Sequence, residues 1–223
     1  MEYRVRRTTA TPELRGNWDG PAWREADVAA ITHFHPQSSS HHPHAEAKVL
    51  YDDDGLYLHF RVRDRYVICR HTEPQSPVCR DSCVEAFLQP KPDKGYLNFE
   101  VNCGGAILLY YVTDPTRIEG RLQGFRPVES SLLQKIRIYH SMPKSIENEL
   151  DQPVDWQVEY FVPNGVLEAH VGPLGAPSER RWRGNFYKCA DESSHPHWGS
   201  WSPIGAQLNF HAPDYFGSVR FEA

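Results

Sequence analysis

Apolar residues recur at every second position in one segment after another of this chain, the period at which side chains project from opposite faces of a β-strand. AEAKVLYD (45–52) and LYLHFRVRD (56–64) are two such runs, and they flank Asp53, Asp54 and Gly55. An Asp-Gly step between alternating runs predicts a hairpin. In the second run Leu56, Leu58, Phe60 and Val62 share one face, and Tyr57, His59, Arg61 and Arg63 share the other. The first face is expected in the core, the second in solvent or at a binding site. SCVEAFLQ (82–89) and GYLNFEVNC (95–103), joined through PKPDK, predict the next hairpin. Val84, Ala86 and Leu88 point one way, while Asp81, Cys83, Glu85 and Phe87 point the other. In the partner run Leu97, Phe99 and Val101 oppose Asn98, Glu100 and Asn102. A symmetric loop sets Glu85 opposite Glu100 and Phe87 opposite Asn98, with Cβ atoms about 4.5–5.5 Å apart. A one-residue slip would reverse every side chain, so this register is an expectation to be checked.

Further strands are expected at AILLYYVTD (106–114), IRIYH (136–140), DWQVEYFVP (155–163), RWRGNFYKC (181–189) and FGSVRFE (216–222). VPNGVLEAHVGPLG (162–175) is read as holding one short helical turn, and 191–216 as a long loop of the kind that often carries function. The polar stretch SSSHHPH (38–44) is a loop, and HAPDYFG (211–217) a turn feeding the last strand. Strands do not alternate with helices, and no break in composition marks a second domain. The reading is a single domain over 1–223: an all-β, antiparallel two-sheet β-sandwich of jelly-roll or immunoglobulin-like type, with roughly ten strands.

Composition narrows the partners. Among 223 residues are 18 Pro and 15 Gly, which favour short strands and turns over long helices. The net charge is −5, and Lys and Arg are scattered, so no basic stripe suggests nucleic acid. No run of 18 apolar residues predicts a membrane helix. MEYRVRRTTATPELRG lacks the apolar stretch of a secretory signal. That suits the cytoplasm as written, or a secreted or periplasmic protein whose signal has been trimmed. The oligomeric state is left open. Five cysteines without a CxxC pair read as free thiols. A zinc site from Cys79, Cys83 and a distant His is disfavoured, because the spacing has no paired second half.

Glu85, Asn98, Glu100, Asn102, His59, Arg61 and Arg63 are planar polar groups on the non-core face of predicted strands. Such groups suit polyhydroxylated ligands, whose hydroxyls both donate and accept. Sugar C–H faces also stack on aromatic rings. Of six tryptophans, Trp156 alternates with Val158 and Tyr160 and is read as core, whereas Trp198 and Trp201 lie in the long loop and are the stacking candidates. The competing reading is that these strand residues form an ordinary solvated face.

Eight stretches in order carry a resemblance: NWDGPAWREA (17–26), VLYDDDGLYLHFRVRD (49–64), RDSCVEAFLQP (80–90), YLNFEVNCGG (96–105), DWQVEYFVP (155–163), WRGNFYKC (182–189), HWGSWSPI (197–204) and NFHAPDYFGSVRF (209–221). Together they resemble the family-nine carbohydrate-binding module and its DOMON-like relatives, over nearly the whole chain. The resemblance implies a jelly-roll-like sandwich, binding at the end of a glycan chain, and structural calcium. It implies that Glu85 hydrogen-bonds sugar and that Asn185 contacts ligand. It also implies an aromatic clamp whose first tryptophan falls at Cys79, where a thiol offers no flat face. Trp198 or Trp201 is expected to compensate.

Asp52, Asp53 and Asp54 are the candidate calcium ligands, against the reading that Asp-Asp-Gly merely turns the chain. Glu85 and Glu100 could also act as the carboxylate pair of a glycosidase. GxSxG, HExxH, the P-loop and GxGxxG are absent. A haem site is disfavoured because Met142 and His140 would share one strand face. The expectation is non-catalytic carbohydrate binding by Glu85, Asn185, Arg61, Glu100 and Asn98, with Trp198, Trp201 and Cys79 at the rim. The alternatives are a glycosidase using Glu85 and Glu100, or a ligand-free DOMON-like interaction module.

Overall fold

Fourteen strands form the frame of the computed structural model, which describes residues 1–222. They are β1 (Glu2–Arg7), β2 (Ala29–Ile31), β3 (His33–Phe34), β4 (His44–Tyr51), β5 (Gly55–Cys69), β6 (Cys83–Gln89), β7 (Tyr96–Asn102), β8 (Ile107–Ile118), β9 (Arg121–Pro127), β10 (Arg137–His140), β11 (Ile146–Pro163), β12 (Arg181–Cys189), β13 (Trp198–Ser200) and β14 (Gly217–Glu222). Two short helices, α1 (Ser130–Leu133) and α2 (Asn164–Val171), interrupt them. No helix among the described residues is long and apolar enough to cross a membrane. The fold is all-β, as the alternation implied.

The strand count and the connectivity differ from expectation. Hydrogen bonds link the strands along one continuous path, β10-β11-β5-β4-β1-β14-β12-β6-β7-β8-β9, with β2, β3 and β13 appended. The sheet is mixed, because β1 runs parallel to both β14 and β4. That strand is the physical reason for the difference. Its EYRVRR buries only Tyr3 and Val5, a pattern too short to predict, yet it joins two runs of strands into one hydrogen-bonded system. One core cluster draws on both runs, with Phe60 and Trp156 from one and Ala86, Phe99 and Phe186 from the other. Phe60 meets Phe186, and Phe99 meets Tyr160, at ring-centroid distances of 6.3 Å.

The hairpin register follows the hydrophobic pattern. Leu58 pairs with Val49 and Leu56 with Tyr51 across β4–β5. Glu85 pairs with Glu100 and Phe87 with Asn98 across β6–β7, the register the symmetric loop required. The second face of β5, however, is only partly in solvent. Tyr57 and His59 are buried beneath the segment before β2. Trp18 and Trp23 place their rings 5.0 and 5.1 Å from the His59 ring, and Trp23 Nε1 donates to Glu159 Oε1 at 2.9 Å. Burial pushes the His59 imidazole down to about 3, so it is neutral there. Alternation identifies opposite faces of a strand but not which distant segment covers the second.

The same limit hides a buried ionic cluster. Lys188 on β12 and Asp64 on β5 have no exposed side-chain surface and lie 3.5 Å apart. Lys188 Nζ also donates to the Cys189 carbonyl at 2.9 Å and meets His197 Nε2 at 2.8 Å. His197 donates through Nδ1 to the His195 carbonyl at 2.9 Å, and burial, then the Lys188 charge, push its ring down to about 3. A neutral ring protonated on Nδ1 accepts from the ammonium through Nε2. Burial alone would raise the Asp64 carboxyl. Lys188 and a 2.7 Å bond from His41 outweigh it and hold Asp64 well below the usual carboxylate range.

Candidate functional site

The outward faces of β6, β7 and the end of β12 form the floor of a hollow of about 430 Å³. Glu85 and Phe87 reach it from β6, Glu100 from β7 and Cys189 from β12. Its walls come from loops. Cys79 stands on a single 3-10 turn (Val78–Arg80), Arg117 and Gly120 at the β8–β9 hairpin tip, and Asp191, Trp198, Leu208, Asn209, Phe210 and His211 on the long segment before β14.

Two carboxyl groups dominate the floor. Glu85 is 2% exposed, and its Oε1 accepts from the Cys189 thiol at 3.1 Å. Glu100 is 6% exposed, and its Oε1 accepts from Asn98 Nδ2 at 2.7 Å. Burial, then the neighbouring Glu100 charge, raises the Glu85 carboxyl well above its ordinary range. Burial pushes Glu100 up to about 7, against the lowering effect of Asn98. Near neutral pH the floor therefore holds at least one protonated acid that can donate as well as accept. Burial likewise holds the Cys79 thiol in its protonated form.

A raised carboxyl pKa has a defined sign in stability. The folded protein holds the Glu100 proton between about pH 4.5 and 7, whereas the unfolded chain releases it. The stabilisation is complete below the unfolded value and is lost as pH rises through the folded one. Glu100→Gln is expected to remove this slope. The melting temperature of wild type relative to Glu100→Gln should fall across that window, as followed by thermal denaturation at a series of pH values. A constant difference would show that Glu100 titrates normally.

The walls supply the apolar contact. The half-buried Trp198 is held by a bond from Nε1 to Asp191 Oδ1 at 2.8 Å. Phe210 stacks on Tyr187 with centroids 4.0 Å apart, and His211 Nδ1 meets the Tyr96 hydroxyl at 2.7 Å. Burial, with a smaller contribution from Arg117, pushes the His211 ring down to about 3, so it adds a neutral polar edge.

The structure brings Glu85, Glu100, Trp198 and Cys79 together at this hollow. Asn98 lies beneath, spending its amide on Glu100 and its oxygen on the Tyr110 N–H at 2.8 Å. Asn185 is sealed: Nδ2 donates to the Ser202 carbonyl at 2.8 Å, and Oδ1 accepts from the N–H groups of Phe186 and Ser202, each at 2.9 Å. Its role here is to fix the chain after β13. Asn185→Ala is expected to cost about 1–3 kcal/mol in chemical denaturation, since two backbone donors and a carbonyl lose their partner.

Arg61 lies away from the hollow, bonded to Glu46 at 2.8 Å with its guanidinium over Trp18. Trp201 is 4% exposed and packs in the core against Tyr3 and Phe186, so it offers no stacking face. Sequence reading missed Arg117, Asp191, Phe210 and His211. The length of the loop over 191–216 was a signal for three of them, and nothing local marks Arg117.

Two of the three aspartates after β4 are engaged in bonds within the protein. Asp52 Oδ1 accepts from the Asp54 and Gly55 N–H groups at 2.9 and 3.0 Å, and Oδ2 accepts from the Tyr57 hydroxyl at 2.8 Å. Asp53 pairs with Arg7, and its carbonyl accepts from Asn164 Nδ2 at 2.8 Å. Asp52 and Asp53 thus serve the turn and its neighbours, which is the role the Asp-Asp-Gly reading gave them.

These features define a β-sheet domain with an open, acid-floored hollow flanked by aromatic rings. Residues 23–221 match the model of carbohydrate-binding family 9, and the chain belongs to that family. Solved structures agree in fold. A candidate carbohydrate-binding protein from Bacteroides uniformis ATCC 8492 is similar with a TM-score of 0.84 and 24% identity, covering 99% of each chain. A family-9 carbohydrate-binding module from Caldicellulosiruptor kristjanssonii in complex with cellotriose gives a TM-score of 0.65 and 14% identity, over 100% of this chain and 94% of that one. One in complex with glucose gives 0.63 and 13%, over 99% and 96%. No curated protein matches the chain.

Proposed function

We propose that the chain is a non-catalytic carbohydrate-binding domain, and that the hollow over β6 and β7 is where the sugar binds. The single observation that carries this reading is the pairing of Glu85 and Glu100 at the floor with the half-buried Trp198 at the wall. Paired acids, one protonated, suit hydroxyls that donate and accept at once, and an indole suits the apolar face of a pyranose. Membership of family 9 and the cellotriose- and glucose-bound relatives support the same ligand class. In this reading the long hydrogen-bonded path folds over as a two-layer sandwich, with the hollow on the outside of one layer.

The test is titration of neutral mono- and oligosaccharides against intrinsic fluorescence. Among the described residues Trp198 is the only tryptophan that is not buried, so saturable quenching should report on it. Silence across a broad panel would leave the interaction-module reading standing.

The direct Glu85–Glu100 register also favours a second reading, glycoside cleavage. That chemistry needs one carboxylate ionised as nucleophile or base. The burial that raises both groups works against it. Turnover of an aryl glycoside, abolished by Glu85→Gln, would establish the enzyme.

A further inference from the structure

Beneath the hollow, two thiols lie against a carboxylate in a way that sugar recognition leaves unused. Cys83 on β6 and Cys189 on β12 are directly opposed across neighbouring strands. Glu85, two residues beyond Cys83, shares its face. The two Sγ atoms and a Glu85 oxygen all lie within 4.8 Å of one another, and all three residues are buried. Cys189 and Glu85 also line the hollow, which gives a path from solvent. Cys189 is the second half that the Cys79–Cys83 spacing lacked, delivered from a strand more than a hundred residues away.

We infer that Cys83, Glu85 and Cys189 form a binding site for a thiophilic divalent ion of the zinc and cadmium class. Two thiolates and one carboxylate are a three-ligand set that zinc accepts, with Zn–S near 2.3 Å and Zn–O about 2.0–2.2 Å. Because Glu85 and Cys189 line the hollow, water or a side chain of the wall could supply a fourth ligand from there. Calcium and magnesium are disfavoured because they require oxygen ligands, and here two of three donors are sulfur. The balance is simple. A hydrated dication enters, the two thiols and the carboxyl each release a proton to solvent, and two metal–sulfur bonds and one metal–oxygen bond form without a change of oxidation state. In the free protein burial favours the protonated forms of Cys83 and Glu85, and the contact with Cys83, then burial, does the same for Cys189; a dication reverses that preference.

The site stands apart from the carbohydrate reading, although both use Glu85. The test takes the reduced full chain, stripped with chelator and desalted, and titrates it with Cd²⁺ while recording the thiolate-to-cadmium charge-transfer absorbance. The band should saturate at one ion per chain, with a matching rise in melting temperature. Cys83→Ser and Cys189→Ser should each weaken binding by at least about tenfold, the lower end of what even indirect partners of a metal contribute. Cys69→Ser removes one of the other adjacent thiol pair, Cys69–Cys103, and should leave the band unchanged. Should the Cys variants fail to fold, Glu85→Gln keeps both thiols and should still weaken binding. Absence of the band at one equivalent overturns the proposal, as does a band that persists in Cys83→Ser/Cys189→Ser or vanishes in Cys69→Ser. A sugar titration in excess chelator keeps the two readings separate, because binding there with no cadmium band removes the metal site alone.

Discussion

Lys188→Ala is expected to destabilise the fold by about 3–5 kcal/mol, a large share of the ~5–15 kcal/mol that typically separates folded from unfolded domains. The cause is what remains after truncation. The Asp64 side chain has no exposed surface, and the ammonium 3.5 Å away is the main influence holding its carboxylate ionised. Without it the carboxylate must take up a proton or leave the core. His197 Nε2 and the Cys189 carbonyl lose their donor in the same step. For a chain of this length the melting temperature should drop on the order of 10 °C. Lys188→Met combined with Asp64→Asn should cost less than the sum of the two single changes, because the unpaired charge is then gone. Strictly additive losses in that cycle would show that the two groups do not interact.

Trp198→Ala is the change expected to act most strongly on ligand rather than on fold. Its indole is half-buried at the wall and held by Asp191, so it presents a ring already fixed in place. Truncating a buried aromatic contact of this type costs about 2 kcal/mol, a ~30-fold loss in affinity. Calorimetry suits the measurement, because the variant removes the fluorescent reporter. Trp198→Phe should recover a good part of the affinity, since a flat face remains. Equal affinities for wild type and Trp198→Ala would place the sugar elsewhere on the molecule.

Period-two alternation carried the sequence reading where neighbours are local. The β4–β5 and β6–β7 hairpins, the pairing of Glu85 with Glu100 and the core face of β5 all followed from side-chain spacing and turn residues. The reading weakened where a residue's fate depends on a distant segment. Arg61 and Glu85 have the same local pattern, but β5 and β6 are separated along the sheet by β4, β1, β14 and β12. Asn185 was expected to contact ligand, yet the chain at Ser202 consumes its amide. Trp198 and Trp201 are three residues apart in a segment without period, and nothing local tells the wall residue from the core residue. Cys79 was flagged as a missing aromatic. It lines the hollow, but the neighbouring pair of sulfur atoms became visible only once β12 lay beside β6.

Strand β1 has a consequence for the order in which the molecule is made. It pairs Glu2 with Ser218 and Val5 with Phe221, so its inner edge waits for a strand translated at the far end of the domain. During synthesis the β4–β5 and β6–β7 hairpins can close as they emerge and β4 can meet the end of β1, but the other edge of β1 stays unpaired until β14 follows. The nascent chain thus carries an open β-edge until nearly all of the domain has left the ribosome, and any chaperone that shields such edges has its natural binding window there.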